Sequence, residues 1–182
     1  MFIYPYIYIR GHIGDLQGGW DPLCLNKRGL LMKALVLYHS QEHGNTKKMA
    51  EAVAEGLKEA GCKVVPFNTN EDRFDVSTFP HFDCVAFGSP EYFGYIAGGL
   101  KTFVDDHYVY DVHKKTKGIK GKPYALFYSH GGGGRVKSVM MNLFKRVGTQ
   151  VGETVGSYGA PNAQVLEKCK DLGKELAAAV KK

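Results

Sequence analysis

The sequence predicts an α/β fold: a doubly wound, five-stranded parallel sheet in strand order 2-1-3-4-5. Three observations carry this expectation. From Lys33 onward, short apolar runs alternate with segments of helical period, the signature of a parallel sheet covered on both faces. The chain has 182 residues, 44% of them hydrophobic, which is enough to bury one sizeable core without disulfides or a structural metal. The loops that would leave the first, third and fourth strands, Ser40–Thr46, Ser89–Gly94 and Ser129–Gly134, all carry unusual sequence.

The first strand is Ala34–Tyr38, followed by a helix from Asn45 to about Ala60 that places Met49, Ala52, Val53 and Leu57 on one face before Gly61 stops it. The second strand is roughly Lys63–Phe67. Asn68–His81 is polar and contains proline, so it is expected as a loop with at most a short helix. The third strand is Cys84–Phe87, and Leu100, Phe103 and Val104 mark the helix behind it. The fourth strand is Tyr124–Tyr128, and the next helix carries Val139, Leu143 and Val147. The fifth strand is about Thr154–Tyr158. The closing helix, about Asn162–Val180, spaces Leu166, Cys169, Leu172 and Leu176 along one stripe.

Residues 1–31 stand outside this pattern. Phe2–Ile9 is an apolar, aromatic run broken by Pro5, and the residues after it show neither helical nor strand period. A signal peptide would need an early basic region, a longer apolar core and a small-residue cleavage site, and none is present. Codons for Lys27, Arg28 and Gly29 can supply a purine-rich stretch resembling a bacterial ribosome-binding site, so Met32 is the expected natural start. That leaves residues 32–182 as one domain of ordinary size. A genuine strand or arm over residues 1–31 is the rival expectation.

The formal net charge is +6, which is compatible with nucleic acid, a membrane surface or an anionic small ligand. No run of Lys and Arg is dense enough to select nucleic acid. The tightest cluster, Lys114, Lys115, Lys117, Lys120 and Lys122, is expected as a solvated loop. No window approaches the roughly 18 apolar residues of a spanning helix, so no membrane insertion is expected. Cys24, Cys62, Cys84 and Cys169 are too widely separated for zinc or CxxC chemistry and are expected as free thiols in a reducing cytoplasm.

In a doubly wound sheet the ligand sits where the strand order reverses, between strands one and three. Ser40-Gln41-Glu42-His43-Gly44-Asn45-Thr46 joins a buried strand to a helix N-terminus, where free N–H groups and the helix dipole favour an anion. Ser40, Asn45 and Thr46 can add donors to phosphate oxygens, and Gly44 permits close backbone approach. The same residues also suit an ordinary βα turn with an Asn or Thr cap. Glu42 would repel a phosphate dianion and is expected to face solvent. A Walker loop and a dinucleotide fingerprint are both absent after any strand. A receiver-domain phosphoacceptor would need acidic residues where His39-Ser40 and Gly88-Ser89 stand.

YHSQEHGNTKKMAEAVAEGLKEAG, together with FGSPEYFGYIAGGLKTFVDD, resembles the flavodoxin-like superfamily and especially its WrbA-type branch of FMN-dependent NAD(P)H:quinone oxidoreductases. The resemblance covers most of the chain from Met32. It implies that Ser40, Gln41, His43, Gly44, Asn45 and Thr46 border the phosphate of FMN, in a loop one residue longer than the common pattern between Ser40 and Gly44. It implies that Pro90, Glu91, Tyr92, Phe93 and Gly94 lie along the isoalloxazine, with Tyr92 or Phe93 packing on the ring. Ser129, His130, Gly131, Gly132, Gly133 and Gly134 would lie against its edge, although a glycine run also suits a plain flexible turn. His130 can titrate near neutral pH and is a weak catalytic candidate.

Flavodoxin carriers bracket the ring with aromatics and present an acidic surface, whereas this third loop has no aromatic and the chain is basic. The resemblance therefore implies an FMN-dependent oxidoreductase passing electrons from NAD(P)H to a small quinone-like acceptor. An electron-transfer protein with a protein redox partner and a non-catalytic flavin-binding module are the alternatives. The WrbA branch has an inserted segment and a histidine in the region of Lys145-Arg146-Val147; neither is present, and the Tyr108–Lys122 connection matches poorly. A homodimer or higher homo-oligomer with shared sites is compatible with the resemblance.

Overall fold

In the sheet, β1 (Lys33–Tyr38) is buried at every residue after Lys33. It is flanked in parallel by β2 (Lys63–Asn68), with Lys33 opposite Lys63, and by β3 (Cys84–Tyr92), with Ala34 opposite Cys84. The computed structural model describes residues 29–181, so the expectations for residues 1–28 lie outside the described residues. Beyond β3 lies β5 (Lys122–His130), again parallel, with Val85 opposite Tyr124. The outermost strand is split into β6 (Gly148–Gln150) and β7 (Val155–Tyr158), both paired with β5. The order β2-β1-β3-β5-β6 is the predicted 2-1-3-4-5 with its last strand in two pieces.

The split has a local cause. Lys122 faces Gly148 but Phe127 faces Val155, so the outer strand spends two more residues than β5 over the same stretch. Gly152, at φ 66°, sits in that excursion. The single strand expected over Thr154–Tyr158 therefore corresponds to β7 alone. A second departure is at β3, which runs past Phe87 and folds back as an antiparallel hairpin with β4 (Tyr95–Ile96), Tyr92 opposite Tyr95. The expected loop from Pro90 to Gly94 is thus mostly strand.

Alternation along β1 sends Ala34, Val36 and Tyr38 to one face of the sheet and Leu35 and Leu37 to the other. The first face is covered by α1 (Asn45–Glu59) and α4 (Ala163–Lys181), through Met49, Val53, Leu57, Cys169, Leu172 and Leu176. The second is covered by α2 (Gly98–Tyr108) and α3 (Val136–Leu143). There Phe87 stacks on Phe144 at 4.1 Å between ring centroids and meets Phe103 at 5.3 Å. On α3 the core residues are Val136 and Met140, continued by Phe144, while the expected Val139 and Leu143 are only half-buried. Of the expected stripe, Val147 is buried beyond the end of α3, and Val139 and Leu143 pack against the edge of the core. A five-residue π-helix, Val109–His113, extends α2, and a 3-10 helix, Val76–His81, occupies the connection before β3.

Lys122 departs from the expected solvated loop. It is buried, and its ammonium donates to the carbonyls of Pro80 and Phe82 while lying 5.3 Å from the Phe79 ring centroid. Lys120, from the same cluster, pairs with Asp111 at 2.9 Å. Among the described residues, no helix is long and apolar enough to cross a membrane.

Packing between α1 and α4 depends on two glycines facing each other's backbones. A Cβ on Gly56 would collide with the Lys170 carbonyl, and one on Gly173 with the Val53 carbonyl and, at 2.9 Å, the Leu57 nitrogen. Overpacking of this kind costs about 1–3 kcal/mol. We expect Gly173→Ala to lower stability by that amount in urea titration. Gly98→Ala, where a Cβ meets nothing within 4 Å, should be neutral or raise stability by about 0.5–1 kcal/mol through helix propensity. Equal effects would remove the close-packing account.

Candidate functional site

The loops after β1, β3 and β5 converge at the carboxyl ends of the strands on a cleft of about 240 Å³. Residues 40–46 form one wall, Pro90, Glu91 and Tyr92 a second, and Ser129, His130 and Gly131 a third, with Gly159 closing the rim. Gly132, Gly133 and Gly134 continue the third loop away from this lining, and Phe93 and Gly94 form the tip of the β3–β4 hairpin outside it.

The 40–46 loop ends at the N-terminus of α1, where Gly44 occupies the cap at φ 68°. The cap residue itself has no side chain to offer, and no acidic residue lies in the first turn. The first-turn N–H groups and the dipole thus favour an anion without a built-in carboxylate to compete. Ser40 is held from both sides: its N–H donates to Asn68 Oδ1 at 3.0 Å, its carbonyl accepts from Asn68 Nδ2 at 3.0 Å, and its hydroxyl accepts from Lys47 N–H at 3.3 Å. Thr46 is buried and shares a 2.8 Å hydroxyl–hydroxyl bond with Ser129, joining the first loop to the third. Gln41, Glu42 and His43 are exposed, so Glu42 sits where its charge is solvated. This set of N–H and O–H donors around a helix terminus fits a phosphate monoester, as FMN would present.

The second loop is fixed by its side chains as much as by its strand. Glu91 Oε2 accepts from Val136 N–H at 2.9 Å, so the carboxylate caps α3 and ties the hairpin to the element that follows the glycine run. Ser89, fully buried, accepts from Ala97 N–H at 3.0 Å and donates to the Pro90 carbonyl at 2.8 Å. Tyr92 borders the cleft with its ring edge-on to His39 at 6.1 Å, and burial together with the Glu42 charge raises its pKa. His130 is held by a 2.8 Å bond between Nδ1 and the Gly132 carbonyl and lies 5.5 Å from the rings of both Tyr128 and Tyr158.

Several contributors were not singled out from sequence. Asn68 and His39 support the cleft from behind, His39 through a 3.1 Å bond to Thr69 Oγ1. Gly159 and Tyr158 come from the end of the fifth strand. Their signal was positional, because all four lie at the carboxyl ends of strands or just beyond, where the topology places the ligand.

A family model described as flavodoxin matches residues 36–178. A coenzyme F420H(2) oxidase of Methanothermobacter marburgensis is 29% identical over 85% of this chain, which spans only 38% of that protein's length. An NAD(P)H dehydrogenase (quinone) of Archaeoglobus fulgidus is 28% identical over 84% of this chain and 99% of its own. Among solved structures, a flavodoxin from the domain Archaea superposes with a TM-score of 0.70 at 26% identity, over 83% of this chain and all of that one.

Burial lowers the pKa of His39 beside the cleft, and also that of His107, which packs between Phe79, Phe103 and the Ile119 carbonyl. Both take up a proton less readily in the folded chain than in the unfolded chain, where protonation occurs near the ordinary value of 6.5. Their contribution is complete above that pH and is lost as pH falls below it. The melting temperature should fall between pH 7 and 5, and less steeply in His107→Gln. An unchanged slope in that variant would remove His107 from the account.

Proposed function

Because this chain belongs to the flavodoxin family, we propose that its cleft holds FMN and that the protein passes electrons from NAD(P)H to a small quinone-like acceptor in a reducing cytoplasm. The observation that carries the flavin site is the acid-free, glycine-capped N-terminus of α1 meeting the Ser40, Thr46 and Ser129 hydroxyls at the reversal of the strand order. When bound, the flavin supplies the redox chemistry, accepting hydride from a nicotinamide and releasing two electrons to the acceptor.

The chain's own part is binding and access. Ser40, Asn45 and Thr46 hold the phosphate, with Asn68 keeping Ser40 in position. Tyr92 offers one aromatic wall. The opposite rim carries the His130 imidazole, and of the glycine run Gly131 alone lines the cleft, adding backbone without a side chain beside that ring. The full-length match to a quinone-acting NAD(P)H dehydrogenase supports this direction. The full-length match to an archaeal flavodoxin supports a second reading, a carrier for a protein redox partner.

Asn45→Ala should remove one charge-assisted bond to phosphate, about 1.5–3 kcal/mol, or roughly ten- to a hundredfold in FMN Kd. Thr46→Ala should cost at least as much, since it also strips Ser129 of its buried partner. Fluorescence titration of the apoprotein measures both, and affinities within threefold of the parent would place the phosphate elsewhere. The reaction is tested by anaerobic mixing of FMN-loaded protein with NADH or NADPH. Bleaching of the flavin absorbance, reversed by benzoquinone, is expected; inertness to both nucleotides would favour the carrier.

A further inference from the structure

Next to the cleft, the β3–β4 hairpin turns through Phe93 and Gly94, both at positive φ, 54° and 73°. Two-residue hairpins favour this geometry, and glycine meets it freely, but a bulky side chain in the left-handed region is strained. Phe93 gains no burial in return: its ring is fully exposed at the turn. Strain of this kind, retained without compensation from packing, is characteristic of ligand clamps.

Arg135 lies beside this turn. Its side chain passes between the hairpin tip and the glycine run, so that a Cβ on Gly94 would stand 3.5 Å from its Cδ and one on Gly133 would stand 3.8 Å from its Nε. The residue is exposed. Among the described residues the ion pairs engage Arg73, Lys101, Lys120, Lys170 and Lys174, and none reaches Arg135. The nearby Glu91 carboxylate is directed to the N–H of Val136 instead. A guanidinium side chain with no ion pair among the described residues thus runs along the same hairpin turn that carries the exposed Phe93 ring, next to the cleft wall formed by Glu91 and Tyr92.

We propose that Phe93 and Arg135 form a rim site for the phosphorylated adenosine half of the nicotinamide dinucleotide, an inference that rests on the NAD(P)H reading above. The ring stacks on adenine, since every base offers a π-face to an aromatic side chain. The guanidinium pairs with phosphate, for which its planar fork is suited. The glycine run between this site and His130 lets the rest of the dinucleotide cross toward the flavin. An acidic protein partner would use the same cation but gives no reason for a strained, exposed phenylalanine.

The test is calorimetric titration of FMN-loaded protein with ADP, which carries the diphosphate common to both donors, and with adenosine 2′,5′-bisphosphate, which carries the phosphate peculiar to NADPH. Binding of at least one probe is expected, weakened at least tenfold in Arg135→Gln and in Phe93→Asn, with Arg135→Lys intermediate. Asparagine tolerates positive φ, so Phe93→Asn should melt no lower than the parent. Weakening confined to the bisphosphate would assign the 2′-phosphate to Arg135; weakening of both would assign the diphosphate. Absence of binding by either probe, or binding that survives both substitutions, overturns the site. Nucleotide binding without flavin reduction would uphold it while overturning the reductase reading.

Discussion

Parallel pairing of β1 with both β2 and β3 is the constraint on which the cleft depends. The chain leaves β1 for α1 on one face of the sheet and leaves β3 for α2 on the other, so the two connections diverge at the carboxyl ends and leave a gap between them. The register sets Tyr38, the last residue of β1, opposite Gly88, and Pro90 opposite Ser129, so β3 and β5 run on past the end of β1 and their last residues become walls of the cleft. Cross-links then hold the gap open at a fixed width: Thr46 to Ser129, Asn68 to Ser40, and Glu91 to the start of α3. The Glu91 bond would not form if β3 slipped by one residue, because the alternate side chains of that strand would exchange faces.

Much of this order was legible in the residues. The apolar run at 34–38, the helical period from Asn45 and the stripe of Cys169, Leu172 and Leu176 each follow from burial on a known period, and periodicity is the property a sequence states most directly. What escaped has a different origin. The divided fifth strand depends on a two-residue excess that exists only relative to β5. The close approach of α1 to α4 depends on Gly56 and Gly173 facing each other's backbones, and a glycine inside a helical pattern does not declare its neighbour. Lys122 looked like one more lysine in a polar stretch; its burial is decided by carbonyls of Pro80 and Phe82, about 40 residues away.

The cleft was legible in the same uneven way. Loops 40–46 and 129–134 stood out because their composition is suited to a job that packing does not require, namely presenting backbone and hydroxyl donors. The second loop was harder. The resemblance places Glu91 along the flavin without assigning its carboxylate a task, and only the folded chain shows that carboxylate capping α3. The resemblance implies that Tyr92 or Phe93 packs on the ring, and the hairpin with β4 separates the two: Tyr92 borders the cleft, while Phe93 and Gly94 are the two turn residues left by the pairing of Tyr92 with Tyr95.

Charge distribution links the cleft to its access. Most cations elsewhere that approach a carboxylate are paired: Lys170 and Lys174 bridge to Glu55 and Glu59 across α1 and α4, and Arg73 to Asp106 beside α2. Such exposed pairs contribute little to stability individually, but they neutralise the surface where they occur. At the third loop no such bridge forms among the described residues: the Glu91 carboxylate accepts from the Val136 N–H and keeps its charge, while Arg135, exposed one residue earlier, makes no ion pair. A single interaction thereby ties the hairpin wall to α3 and leaves the neighbouring guanidinium without a direct carboxylate partner, so the stiffness of the cleft wall and the exposure of that cation have one cause.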